Sequence, residues 1–102
     1  MSTRATIIFS CDDEEYYAYR HSDGFPENVQ EDIRDAIRTA KGRWSEPELG
    51  LFVTLFLAKG YDYNKDRLPD YEITPCFHGD ESYRYYCRYN KQHKEWEFGV
   101  ID

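Results

Sequence analysis

The chain is poor in positive charge, in cysteine and in long apolar runs. Thirteen lysines and arginines face twenty aspartates and glutamates, a formal net charge of −7 over 102 residues. That balance argues against sequence-nonspecific binding to nucleic acid, which needs Lys and Arg to neutralise phosphates. It argues equally against docking on an anionic membrane. No stretch has the length of a membrane span. Met1 to Phe9 holds too short an apolar run for an export signal before the acids Asp12 to Glu15 arrive. The cysteines, Cys11, Cys76 and Cys87, are odd in number and widely spaced, which reads as free thiols in a cytoplasm. The chain also lacks a P-loop, a dinucleotide fingerprint, a nucleophile elbow and a zincin helix. With no repeat, low-complexity segment or linker, residues 1–102 read as one domain.

What is abundant is aromatic and acidic. Ten tyrosines, six phenylalanines and two tryptophans supply large rings that bury much area each, so a compact core is within reach of a polar chain. The acids favour solubility and a basic protein partner.

Thr3 to Ser10 and Tyr16 to Arg20 read as a hairpin about Asp12-Asp13. That placement pairs Phe9 with Tyr16, Ile7 with Ala18 and Ala5 with Arg20 on one face. It pairs Ile8 with Tyr17, Thr6 with Tyr19 and Arg4 with His21 on the other. Val29, Ile33, Ala36, Ile37 and Ala40 form one face of a helix from Glu27 to Ala40, stopped by Gly42. A second helix is expected from a Ser45 cap, with Pro47 in its first turn and Glu48 closing a capping box, to Lys59. Its run from Leu49 to Leu57 leaves almost no polar face, so it is buried or shared with a partner such as a second copy in a homodimer. A polar loop spans Tyr61 to Asp70. Tyr71 to Phe77 reads as a strand whose Pro75 suggests an edge. Tyr83 to Tyr89 and Lys94 to Ile101 close the chain as a hairpin pairing Cys87 with Trp96, Tyr85 with Phe98, Tyr83 with Val100, Arg88 with Glu95 and Tyr86 with Glu97. The expected fold is α+β: an antiparallel sheet of about five strands, in the order β-β-α-α-β-β-β, with two helices on one face.

Three groups of residues could carry chemistry. Arg4, Thr6, Tyr19 and His21 share a face, with Asp23 close behind. Guanidinium, phenol, imidazole and carboxylate together could bind a phosphate or nucleotide, and could equally be a structural network. An acid/base pair of His21 and Asp23 would have no nucleophile or metal beside it. Cys76, His78 and Asp80 alternate along a strand, but a metal would also need Cys87 or His93, and the plainer reading is a thiol on a strand and a turn; no metal or cofactor is expected. Arg84, Tyr86 and Arg88 alternate as a base-stacking stripe would, but Glu95 and Glu97 opposite them favour ordinary ion pairing.

Met1-Ser2-Thr3-Arg4-Ala5, then Tyr19-Arg20-His21-Ser22-Asp23-Gly24-Phe25-Pro26-Glu27, and later His78-Gly79-Asp80 before Tyr83 and Tyr85, resemble a family of small phage and prophage proteins. Its members carry Ser-Thr-Arg at the start and Tyr-Arg-His-x-Asp-Gly-Tyr-Pro-Glu after the first hairpin. Here Phe25 replaces the Tyr, Asn28 stands where Gly is common, and the middle helical region is shorter. The family has no settled activity, so the resemblance implies origin more than mechanism. By association, phage origin implies a counter-defence protein in the host cytoplasm. The leading expectation is an anti-CRISPR-like inhibitor that binds a host immune protein, such as a basic nucleic-acid-binding effector, through Phe52, Phe56, Tyr86 and Glu97. The alternatives are a sponge for a cyclic nucleotide immune signal, held by Arg4, Thr6, Tyr19, His21 and Asp23, and a small hydrolase using His21 and Asp23. Neither nucleic acid nor membrane is an expected partner.

Overall fold

The computed structural model describes residues 3–61 and 68–101. Met1, Ser2 and the acids and bases expected at 62–67 of the polar loop lie outside the described residues. Strands β1 (Ala5–Cys11) and β2 (Glu14–Arg20) are followed by helices α1 (Pro26–Lys41) and α2 (Leu49–Lys59). Strands β3 (Glu72–Thr74), β4 (Tyr83–Asn90) and β5 (Glu95–Ile101) complete the α+β order. The five strands form one sheet in the order β3-β2-β1-β4-β5.

The sheet is not wholly antiparallel as expected: β1 and β4 run parallel, with Ala5 opposite Tyr83 and Ser10 opposite Arg88. The reason is that β3 joins β2 and not β4. The chain must therefore pass from one side of the β1–β2 pair to the other, and a parallel neighbour is reached only by such a crossover. Residues 75–82 make that crossing.

The first hairpin has the register expected from its alternation, including Phe9 with Tyr16, Ile7 with Ala18 and Thr6 with Tyr19. Asp12 turns it with a left-handed φ of 52°, a conformation that a short polar side chain tolerates better than most. The β4–β5 register departs by two residues. Cys87 faces Phe98, Tyr85 faces Val100, Tyr86 faces Gly99 and Arg88 faces Glu97. Asn90 stays in the strand, where its side-chain carbonyl accepts the His93 N–H at 3.1 Å, and Lys94 turns the chain at φ 53°. A shift of two preserves which face each side chain occupies, so the apolar face survives the change of partners. The third strand shortens to Glu72–Thr74 at the sheet edge because Pro75 has no N–H to extend the ladder.

Helix α1 opens on Pro26 with Glu27 in its first turn and closes with Arg38 and Lys41 in its last, each charge matched to the helix dipole. It buries Val29, Ile33, Ala36, Ile37 and Ala40, the face expected. Helix α2 begins later than expected, at Leu49, and neither Ser45 nor Glu48 supplies a side-chain cap. A residue before proline is biased towards extended backbone, which disfavours a helical turn at Glu46.

Both helices cover the Ala5, Ile7, Phe9 face of β1. Phe9 sits edge-on to Phe52 at 6.1 Å and to Phe56 at 5.1 Å. Phe52 stacks on Trp96 at 4.0 Å. The expectation that Phe52 and Phe56 touch a partner is therefore corrected: they are 0% and 2% exposed and form the centre of the core. Leu55 and Leu57 are partly buried against that core. The outward stripe of α2 is Leu51, Thr54 and Ala58. Gly24 lies so close to β1 that a Cβ there would stand 2.6 Å from the Ala5 Cβ.

Truncating Phe52→Ala is expected to cost about 3–5 kcal/mol, as for other large core rings. Gly24→Ala is expected to cost about 1–3 kcal/mol by overpacking. Urea denaturation checks both.

Candidate functional site

Arg4, Thr6, Tyr19, His21, His78 and Asp80, scattered along the chain, meet on the sheet face opposite the helices. Thr6 and Tyr19 are neighbours across β1 and β2, and the 75–82 crossover lies over them. Phe77 packs edge-on against Tyr17 at 5.1 Å, and the His78 imidazole stacks flat on the Tyr19 ring at 3.6 Å. Asp80 accepts a hydrogen bond from Arg4 Nη1 at 2.8 Å and from the Tyr19 hydroxyl at 3.2 Å. His21 stands edge-on to Tyr19 at 4.7 Å, and its Nε2 lies 2.6 Å from Glu72 Oε1.

Glu81 organises the crossover. Its carboxylate accepts from the Thr6 hydroxyl at 2.6 Å, from the His78 and Gly79 amides at 3.0 and 2.9 Å, and from Arg84 Nε at 3.1 Å. The Glu81 side chain is 0% exposed. Burial pushes its acidity towards the protonated form, but those donors outweigh burial and hold its carboxyl below the ordinary value. Gly79 permits the turn that presents both amides, with a φ of +92°.

Of the five residues considered for a ligand, Arg4, Thr6, Tyr19 and His21 thus come together, and their partners are other side chains of the chain. Thr6 and Tyr19 are 0% and 1% exposed, beneath the crossover. Asp23 does not join them: it is exposed in the turn after β2, at φ 58°, and its carbonyl accepts from the Asn28 side chain at 3.0 Å. Sequence reading missed Glu81 and the role of Asp80, because nothing local marks a carboxylate that will meet a strand about seventy-five residues earlier.

The metal alternative loses its geometry. Cys87 is buried on the helix-facing side beside Phe9, whereas His78 lies on the other face and shares a 3.0 Å contact with Thr74. Among the described residues no group of three or more His, Cys, Asp and Glu side chains could hold a metal ion. All three cysteines are free thiols, and burial pushes the Cys87 thiol far up. Tyr86 and Glu97 lie half-buried on the same face as the crossover. The Tyr86 ring covers Gly99, and Glu97 accepts from Arg88 Nε at 3.1 Å.

On the helix side, a second network ties β2 to α1. The Tyr71 hydroxyl donates to Asp32 at 2.8 Å and accepts from Arg20 at 3.2 Å, while Arg20 Nε donates to the Ser22 carbonyl at 2.6 Å. The buried Tyr85 hydroxyl donates to the Gly24 carbonyl at 2.6 Å. Arg20 and Gly24 of the motif therefore have structural duties of their own.

No protein-family model, no curated protein and no solved structure matches the chain.

Glu81→Gln places an amide NH2 among groups that all donate, and is expected to cost about 2–3 kcal/mol at neutral pH. Because the folded Glu81 is more acidic than its unfolded value of 4.5, its contribution is full above that pH and is lost as pH falls through the folded value. The stability difference between wild type and Glu81→Gln, measured by urea melts across the acid range, should shrink accordingly.

Proposed function

We propose that the protein acts by stoichiometric binding, as a phage-type counter-defence protein of the anti-CRISPR kind that occupies a host immune protein. The observation that supports holding over turnover is the internal pairing of its densest polar cluster. Arg4, Thr6, Tyr19 and His21 are each engaged by a carboxylate of the same chain. The hydroxyls nearest an imidazole or carboxylate there, on Thr6 and Thr74, are 0% and 9% exposed. A hydrolase built on His21 and Asp23 would need the two groups together and poised towards a substrate; here Asp23 stands apart in the turn after β2, and the exposed His21 is paired with Glu72.

The phage origin rests on the motif resemblance. A basic partner is supported by the β1–β2 turn, where Asp12, Asp13, Glu14 and Glu15 are all exposed. Among the described residues, Asp13 and Glu15 have no side-chain partner, so their charge is open to another molecule. Action in a reducing cytoplasm is supported by the free thiols. Among the described residues no helix is long and apolar enough to cross a membrane.

Tagged protein recovered from host cells should carry a partner in fixed stoichiometry. The complex should dissociate as salt is raised from a Debye length of roughly 10 Å to roughly 3 Å. Asp13→Lys with Glu15→Lys should weaken it by about tenfold or more. Recovery without a partner, or inhibition of host defence at amounts far below those of its target, would overturn the proposal.

A further inference from the structure

A second concave region lies at the other end of the sheet from the crossover network. There the segment after α1 faces the β4–β5 hairpin. Two adjoining hollows, about 70 and 350 Å³, share Pro47, Tyr89 and Lys94 in their walls. The inner hollow is walled by Lys41, Trp44, Ser45, Tyr89, Lys94 and Trp96. Trp44 and Trp96 are the only two tryptophans of the chain, and both are half-buried here. Trp96 stacks on Phe52 at 4.0 Å and meets Tyr89 at 5.0 Å, so the wall is rigidly backed by the core. The late start of α2 makes the opposite wall: 44–48 runs as an approach segment where a first helical turn was expected.

The charges at this cleft are unlike those elsewhere. Among the described residues, Arg4, Arg20, Arg34, Arg38, Lys59, Arg84, Arg88 and Lys91 each pair with a carboxylate. Lys41, Arg43 and Lys94 do not. In a chain with an excess of acids, the unpaired bases gather where the tryptophans gather: Lys41 and Lys94 line the inner hollow, and Arg43 directly precedes Trp44. Among the described residues no carboxylate lines that inner hollow. Glu46 and Glu48 line the outer one beside Lys91, whose Nζ is 2.7 Å from Asp12.

We propose that this cleft binds a small planar anion of the nucleoside-monophosphate class, its ring against Trp44 and Tyr89 and its phosphate between Lys41 and Lys94. Aromatic rings stack any base, and lysine serves phosphate as a point charge. The acidic mouth and the net charge of −7 repel a chain of further phosphates, which limits the ligand to a single nucleotide and disfavours a nucleic-acid strand. The site goes beyond the inhibitor reading and stands independently of any protein partner.

Because both tryptophans line the cleft, the intact protein reports its own ligand. Titration with adenosine monophosphate, excited at wavelengths beyond nucleobase absorption, should quench fluorescence saturably. Adenosine should bind about tenfold more weakly for want of the phosphate. Lys41→Glu with Lys94→Glu should abolish that preference while the protein stays folded and still binds adenosine, its melt lowered only by the lost charge at the α1 C-terminus. A short oligonucleotide should bind no better than the mononucleotide. The proposal is overturned if none of the common nucleoside monophosphates quenches saturably, or if the charge-reversed variant keeps the preference. Tighter binding of the oligonucleotide would overturn it too, as would quenching by N-acetylarginine amide in place of the nucleotide, which would assign the rings to a cationic partner. Loss of this site would leave the host-protein complex intact, so the two proposals fail separately.

Discussion

The 2.6 Å hydrogen bond from the Thr6 hydroxyl to Glu81 is the contact on which the arrangement of the sheet turns. Strand β1 is central and has little solvent face. Ala5, Ile7, Phe9 and Cys11 lie under the helices, and Thr6 lies under the crossover. A carboxylate with no exposed surface is tolerated only when its oxygens are fully engaged. Glu81 meets that condition by binding β1, two amides of its own turn and Arg84 of β4 at once. In doing so it holds down the segment that carries the chain from the β2 side of the sheet to the β4 side. The parallel β1–β4 pairing follows from that passage.

The same seal divides the molecule into a closed end and an open one. At the closed end Tyr19 is the hub: His78 stacks on it, His21 meets its edge and Asp80 accepts its hydroxyl. Arg4, Tyr19, His21, His78 and Asp80 are thus tied to one another and to Glu72 by ring contacts and hydrogen bonds. At the open end, β4 and β5 extend to a turn beside the approach to α2. There rings and unpaired lysines remain accessible. Residues read as a candidate ligand site are bonded to side chains of the same protein, and a segment expected as a helix cap forms a cleft wall.

How much could be read in advance varies with the range of the forces involved. The β1–β2 register was legible because Ile7, Phe9, Ala18 and their neighbours alternate strictly about a short acidic turn. The buried face of α1 was legible for the same kind of reason, at a period of 3.6. The β4–β5 register was not, since Trp96, Phe98 and Val100 offer equally apolar partners two residues apart, and Asn90 and Lys94 decide between them. Helix α2 was misjudged because a sequence shows that a helix is apolar without showing how deeply its domain engulfs it. Phe9, Trp96 and Tyr71 surround it closely enough that Leu51 is its one large apolar side chain left well exposed among the described residues.

Local alternation and helical spacing, then, established the elements, their apolar faces and the acidic, aromatic character of the surface, because steric and hydrophobic preferences act between residues close along the chain. The parallel neighbour of β1, the burial of Glu81 against Thr6 and the gathering of Trp44, Tyr89 and Trp96 round one hollow came into being only on folding. Each joins segments tens of residues apart, and such contacts are chosen by the packing of the whole core, a competition that no short stretch of residues records.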